Sequence, residues 1–410
     1  MYFYFGFYSS ILLIFFVHGL VYSVLLFKKG IANDTNADKW LGLFLLLSVL
    51  YIAPWMLGFA GWYDTQPYRD ILFYIPFQHL FFMGPIVFFY VQSLLNPSFQ
   101  FRKKDSLHFI PGILYLLYAL IVFITDKCIL HEYYFYADGA DKDFAAWYQI
   151  LGCVSMIIYF LSSLKYYTVY KQLVQQVTSY ADTVLFTWVR NFLIAFLGIL
   201  IVRIFFFILS IFIDVDYGGN WWGFFAFSIL FYYIAVSGYA NAVKTKMYFK
   251  TNLFTQQTTL LLSAPNQQLQ EETFTIFEEV EPNNNTVAIE EDAVELHKIN
   301  QWKEKLLEEI VGNELYKNAE LSLTDLSKRL KTNASILSKT INKGFGMNFN
   351  DFINYYRVQM VIEMLQQGEH KKQTLLGIAF DCGFNSKATF NRAFKKVTQK
   401  SPKEWIEQSS

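Results

Sequence analysis

Charge and cysteine are both scarce in this 410-residue chain. Charged side chains make up 17% of it, against about a quarter in a typical soluble domain, which argues against an ordinary cytosolic enzyme. The three cysteines, Cys128, Cys153 and Cys382, stand far apart with no CxxC or Cys/His spacing. They build neither a disulfide framework nor a zinc site, and no other metal-ligand set or cofactor motif is evident. The sequence has no HExxH, no acid/base or nucleophile constellation and no lysine in its last apolar run for a retinal Schiff base. A non-enzymatic role is therefore expected. What abounds is apolar surface: 54% of residues are hydrophobic and 20% aromatic, and mean hydropathy is +0.26.

The 34 basic and 34 acidic residues cancel overall but are segregated along the chain. Residues 1–250 carry 16 basic and 13 acidic side chains, 251–297 carry none and nine, and 298–410 carry 18 and 12. Three parts follow: an apolar region (1–250), an acidic flexible linker (251–296) and a basic domain (297–410).

The apolar region contains seven runs near the ~20 residues a helix needs to cross a bilayer. They extend approximately over Phe7–Phe27, Trp40–Ala60, Ile71–Leu95, Leu107–Thr125, Trp147–Tyr167, Leu185–Ile213 and Trp222–Ala240. Helix is required because lipid offers no partner to exposed backbone amides and carbonyls. Lysine and arginine concentrate after the odd-numbered runs (Lys28, Lys29 and Lys39; Arg102, Lys103 and Lys104; Lys165 and Lys171; Lys244, Lys246 and Lys250), whereas the intervening loops are acidic. The positive-inside rule then places the amino terminus outside and the basic domain in the cytoplasm. No basic residue precedes the first run and Lys28-Lys29 follow it, the pattern of a retained anchor rather than a cleaved leader.

Arg203 falls near the middle of the sixth run, and His18 and His79 fall inside the first and third. A charge at that depth costs about 2.5–3.5 kcal/mol on insertion scales and is normally turned inward or paired. The three are candidate intramembrane sensing residues, a ligand pocket or switch around Arg203 and His79 being the functional reading. The plainer one is a snorkelling arginine and histidines bonded to backbone carbonyls. Pro54, Pro76 and Pro85 interrupt their runs and are expected to shape a cavity.

The acidic segment, with Glu271, Glu272, Glu278, Glu279, Glu281, Glu290, Glu291 and Asp292, contains no lysine or arginine. It buries too little apolar surface to offset its ordering entropy, and as a coil it spans about 35–40 Å root-mean-square. A passive linker is the simple reading; an acidic decoy competing for the basic domain is the sharper one.

In the basic domain, Leu296, Ile299, Leu306 and Ile310 form one helical stripe. Ser322 and Asp325 have capping-box spacing, and Leu323, Leu326 and Leu330 line the helix they open. Asn333 is placed to cap the next helix, in which Leu337 and Ile341 face inward and Ser335, Ser338, Lys339 and Asn342 outward. Two short helices joined this tightly predict a helix-turn-helix. A long helix over Phe349–Gln366 leads to a second such unit. In it Leu375, Ile378 and Ala379 precede the turn Cys382-Gly383-Phe384, and Phe390, Ala393 and Phe394 form the inner face of a helix capped at Asn385-Ser386.

Over about residues 300–405, the stretch Ile378-Ala379, Cys382-Gly383-Phe384, Ser386, Phe390, Arg392, Phe394-Lys395-Lys396 and Ser401-Pro402 resembles the AraC/XylS family of bacterial transcription regulators. Asn348–Ile353 and Tyr356-Arg357 are similar to its linker helix, with Arg357 in a structural role. Gln399 stands where the family usually has glycine, and Val361 and Ser327 where it has alanine. The resemblance implies that Ser335, Ser338 and Lys339 face bases in one major groove and Lys387, Ala388, Asn391 and Arg392 in the next. Arginine or lysine suits guanine, asparagine suits adenine, and small side chains allow close approach. Lys343, Lys395 and Lys396 are assigned to phosphates.

The fold expected is all-α: a seven-helix membrane bundle plus a cytoplasmic domain of two helix-turn-helix units joined by a long helix. The function expected is a regulator held in the bacterial inner membrane that binds double-stranded promoter DNA. Its further partners would be the bilayer, a second copy and an unidentified small-molecule or membrane signal. The rival is a membrane receptor or transporter-like protein whose tail is a protein-interaction module.

Overall fold

A computed structural model describes residues 4–96, 99–180, 187–213, 217–240, 248–251, 258–261, 273–275 and 299–409. The acidic positions singled out between 271 and 292, and Lys244 and Lys246, lie outside the described residues. The chain divides into two compact units, residues 1–167 with 187–246, and residues 168–186 with 247–410.

The first unit is helical: α1 (Phe7–Ala32), α2 (Asn36–Gly58), α3 (Tyr68–Tyr74), α4 (Leu80–Leu95), α5 (Ile110–Phe123), the greater part of α6 (Ala146–Val177), α7 (Thr187–Phe212) and α8 (Tyr217–Ala240). Among the described residues, six helical stretches are long and apolar enough to cross a membrane: α1, α2, Lys103–Leu130 (which contains α5), α6, α7 and α8. α1 packs on α2 and α8, and α2 also on α4. Gly19 allows a close approach: a Cβ there would stand 2.6 Å from Val49 and 2.7 Å from Phe231, the small-residue contact by which helices meet in lipid.

The third apolar run departs from expectation. In place of one helix over Ile71–Leu95 it is broken into α3 and α4. Pro76 is the cause, since proline drives the residue before it out of the helical region, and Ile75 is extended (φ −92, ψ 115). Pro54 and Pro85, by contrast, stay within α2 and α4. The backbone groups freed at the break are satisfied by side chains. Asp143 Oδ2 accepts from Phe77 N at 2.7 Å and Gln78 N at 2.9 Å, and the Tyr148 hydroxyl accepts from Leu80 N at 3.2 Å and donates to the Gln78 carbonyl. Non-helical backbone survives at such a place only when buried in protein and paired in this way.

The second unit contains the last turns of α6, a short antiparallel sheet and the carboxyl-terminal helices. The sheet, β1 (Tyr248–Thr251), β2 (Thr258–Leu261) and β3 (Thr273–Thr275) in that order, has Tyr248 opposite Leu261 and Leu260 opposite Phe274. It is an addition to the expected all-α fold. The helices are α9 (299–307), α10 (Leu323–Arg329), α11 (Ala334–Phe345), α12 (Phe349–Gln366), α13 (Leu375–Asp381), α14 (Lys387–Thr398) and α15 (Pro402–Ser409).

Five of them, α10 to α14, begin where their sequence sets a cap. Ser322 and Asp325 form a reciprocal capping box on α10. Asn333, Asn348, Thr374 and Ser386 accept from the first-turn amides of α11, α12, α13 and α14. Such caps stabilise by about 1 kcal/mol each. The second helix pair closes on a core of Val358, Val361, Leu365, Ile378, Phe384, Phe390 and Phe394, where a fully buried large apolar side chain contributes about 1.5–3 kcal/mol.

Candidate nucleic-acid interface

α11 and α14 are internal counterparts. Each has 12 residues, begins at a polar cap and ends on a left-handed residue, Gly346 (φ 67) and Gln399 (φ 60). Aligning the caps Asn333 and Ser386 pairs Ser335 with Ala388, Ser338 with Asn391, Lys339 with Arg392, and Lys343 with Lys396.

On α14 the expected arrangement is present. Phe390, Ala393 and Phe394 are buried, so Lys387, Ala388, Asn391, Arg392, Lys395 and Lys396 emerge together on one exposed face. Ala388, Asn391, Arg392, Lys395, Lys396 and Gln399 line a shallow concavity. Partial burial lowers the Arg392 guanidinium from its ordinary value. Lys396 Nζ pairs with Asp351 Oδ2 of α12 at 2.7 Å, so it already has an anionic neighbour.

α11 differs. Lys339, Asn342 and Lys343 are exposed and Ser335 is half-buried, but Ser338, read from the sequence as outward-facing, is only 5% exposed. The correction has a local cause, its place on the edge of the Leu337–Ile341 stripe. Asn342 Nδ2 lies 3.3 Å from Ser338 Oγ and 3.2 Å from Oε1 of Gln176, in the last turn of α6. The residues following that turn are fastened to the same body. Thr178 forms a β-bridge with Ser322, Ser179 N donates to the Leu321 carbonyl at 3.1 Å, and Asn350 Nδ2 donates to the Thr178 carbonyl at 3.2 Å.

Arg357 of α12, assigned a structural role from the sequence, is 1% exposed and makes five hydrogen bonds. Its Nε donates to Tyr316 O, Nη1 to Ser179 O and Asn354 Oδ1, and Nη2 to Asn318 O and Ser179 Oγ, all within 3.2 Å. Gly383 permits the turn between α13 and α14 (φ 92); a Cβ there would fall 2.5 Å from Tyr316 O. Ile336, 42% exposed on α11, was missed by reasoning from polarity, and the cap alignment does not find it either, because its counterpart Thr389 is buried.

The structure separates the three intramembrane candidates. His18 lies on an exposed face of α1 with Nδ1 2.7 Å from Ile14 O, as the plain reading expected. His79 sits at the start of α4, where its ring meets Phe82 edge-on. Arg203 alone lines a cavity. Its Nη2 donates to Gln149 Oε1 at 2.8 Å, and Gln149 Nε2 donates in turn to Gln78 Oε1 at 2.7 Å. Among the described residues the three cysteines are free and no metal-ligating cluster occurs.

Residues 326–408 match the family model described as a helix-turn-helix domain. Over 92 residues the chain is 34% identical to an uncharacterized HTH-type transcriptional regulator of Staphylococcus aureus strain COL and to another from strain MW2. The aligned stretch covers 22% of this chain and 12% of each relative. No solved structure matches. The matches agree with the resemblance seen in the sequence and fall where it placed them, in the carboxyl-terminal part of the chain.

Proposed function

We propose that this chain is a bacterial transcription regulator held in the inner membrane, its amino terminus outside and its two helix-turn-helix units reading promoter DNA in the cytoplasm. The observation that carries the proposal is the face of α14. A capped, well-packed helix there presents Lys387, Asn391, Arg392 and Lys395 together around the small Ala388, with its large apolar residues Phe390 and Phe394 buried on the opposite side. Such a face supplies donors for guanine and adenine edges and cations for phosphates. The helix-turn-helix match supports the same role. Six helical stretches of spanning length among the described residues, with the broken α3–α4 run as the seventh crossing that this orientation requires, support the membrane anchor, and the alternation of loop charge supports its orientation. Within the anchor, Arg203 is the residue best placed to register a signal.

The test uses the full chain in lipid nanodiscs and duplexes selected from a random pool. Retention should fall steeply with rising salt, because bound phosphates release counterions. Arg392→Ala should relax base preference at one position, at a cost of about 1–3 kcal/mol, whereas Lys395→Ala should weaken all sequences alike. If no duplex is retained at low ionic strength, the reading fails and a protein-binding tail takes its place.

A further inference from the structure

Arg203 is a guanidinium in an apolar surround with most of its hydrogen-bonding capacity unused. One of its three nitrogens is engaged, by Gln149, while Nε and Nη1 have no partner among the described residues. The group stands 5.2 Å from the centroid of the Tyr51 ring. It lines a cavity of about 300 Å³ between α2, α6, α7 and α8, whose walls are chiefly aromatic, with Tyr51, Trp55, Phe206, Phe224 and Phe227. Among the described residues no acidic side chain lines it. A second unused donor points to the same place: Trp55, 6% exposed, lines the cavity and its Nε1 is unpartnered.

The donors are therefore in excess, and the polar lining residues Gln149, Ser210 and Asn220 bring no negative charge to meet them. Desolvating a cation without a counter-charge is costly, and each buried unpaired N–H adds to that cost. Proteins retain such groups where a ligand completes them. Gln149, the one side chain satisfying Arg203, is itself held by Gln78 at the broken third run and by the Asp143 carbonyl, so the guanidinium is fixed in place. Trp55 and Phe144 also line a wider pocket of about 770 Å³ that includes Asp64, Arg69 and Asp141. On the proposed topology that pocket faces the outside and offers an entry.

We infer that the Arg203 cavity binds a small organic monocarboxylate with a flat or short apolar body, its carboxylate on Arg203 and its body against the aromatic wall. The inference rests on the reading of Arg203 as a sensing residue. A carboxylate supplies acceptors and the charge that the site lacks, and pairs with guanidinium more strongly than a neutral acceptor does. The aromatic wall and the size of the cavity select a compact apolar body, in keeping with the general character of ligand sites.

The experiment measures tryptophan fluorescence and melting temperature of the full chain in nanodiscs. Acetate, hexanoate, benzoate, phenylacetate and indole-3-acetate are each titrated beside the corresponding neutral amide. At least one acid should bind saturably, and its amide at least about tenfold more weakly, the loss of a charge-assisted bond. Arg203→Gln should lose the acid by a similar factor, and Trp55→Phe, which removes one N–H while keeping a ring, should weaken it by about fivefold. No binding by any of the five acids, equal binding of acid and amide, or full binding by a folded Arg203→Gln variant would overturn the inference. Displacement by chloride at equal concentration, or binding only by long-chain fatty acids, would overturn it too. DNA retention is read on the same samples. Loss of acid binding with retention intact sinks the cavity alone, whereas absent retention sinks the regulatory reading.

Discussion

Two arginines show how differently one side chain can be accommodated. Arg357 meets five acceptors, three of them backbone carbonyls, and ties the loop before α10 to α12. Arg203 meets one. A guanidinium is rarely buried without a purpose, so both positions stand out in the sequence, but their roles are distinguished only by their surroundings. Ser338 teaches the converse. Its hydroxyl suggests an outward place, yet it is buried on the edge of the Leu337–Ile341 stripe, and Asn342, one turn on, bonds both it and Gln176, more than 160 residues earlier in the chain. Asp141 carries a prediction at this scale. Burial and the neighbouring Asp143 carboxylate push its pKa up to about 8, so the folded protein holds a proton there that the unfolded chain releases near pH 4. Stability from this site is fully present below pH 4 and is lost as pH rises toward 8. Thermal melts of the wild type should therefore decline across that window, and Asp141→Asn should flatten the decline. An identical slope in both proteins would refute the assignment.

At the scale of elements, the carboxyl-terminal helices were legible because their signals are local. The caps Ser322, Asn333, Asn348 and Ser386 and the inward Leu, Ile and Phe positions each lie within a few residues of what they determine. The break of the third run was less so. Pro54 and Pro85 are tolerated inside helices whereas Pro76 is not, and the difference lies in Asp143 and Tyr148, which pair with the backbone that Pro76 frees. The two recognition helices also differ in exposure, and that difference predicts function. With Ser338 buried and Asn342 bonded to Gln176, while Asn391 is exposed, alanine at Asn391 or Arg392 should cost about 1–3 kcal/mol of specific binding. Alanine at Ser335 or Ser338 should cost less than half of that. Electrophoretic shift assays on the four variants decide it, and equal losses from both helices would count against the asymmetry.

For the whole molecule, composition separates apolar, acidic and basic parts, because lipid, water and polyanions select different side chains, but it gives no sign that residues 168–186 belong with the carboxyl-terminal unit. The small sheet over 248–275 was not legible. Its short strands sit in a segment whose neighbouring acidic residues read as coil. The proposed topology places exposed Cys128 on the outer side. Cys382 lies in the buried core of the carboxyl-terminal domain, where burial pushes its thiol up to about 12. A membrane-impermeant maleimide added to intact spheroplasts should label the chain, and Cys128→Ser should abolish the label. Labelling that persists in that variant, or appears only after lysis, would reverse the orientation.

The fastening of Thr178 and Ser179 beside Ser322 and Arg357 has a mechanical consequence. A load held by a single slack cord wanders over a whole sphere, and its freedom grows with the length of the cord. Here the body that carries the recognition helices is also pinned to the final turn of a 32-residue helix. A shift of that final turn is passed directly to the loop preceding α10, like a key turning in a lock.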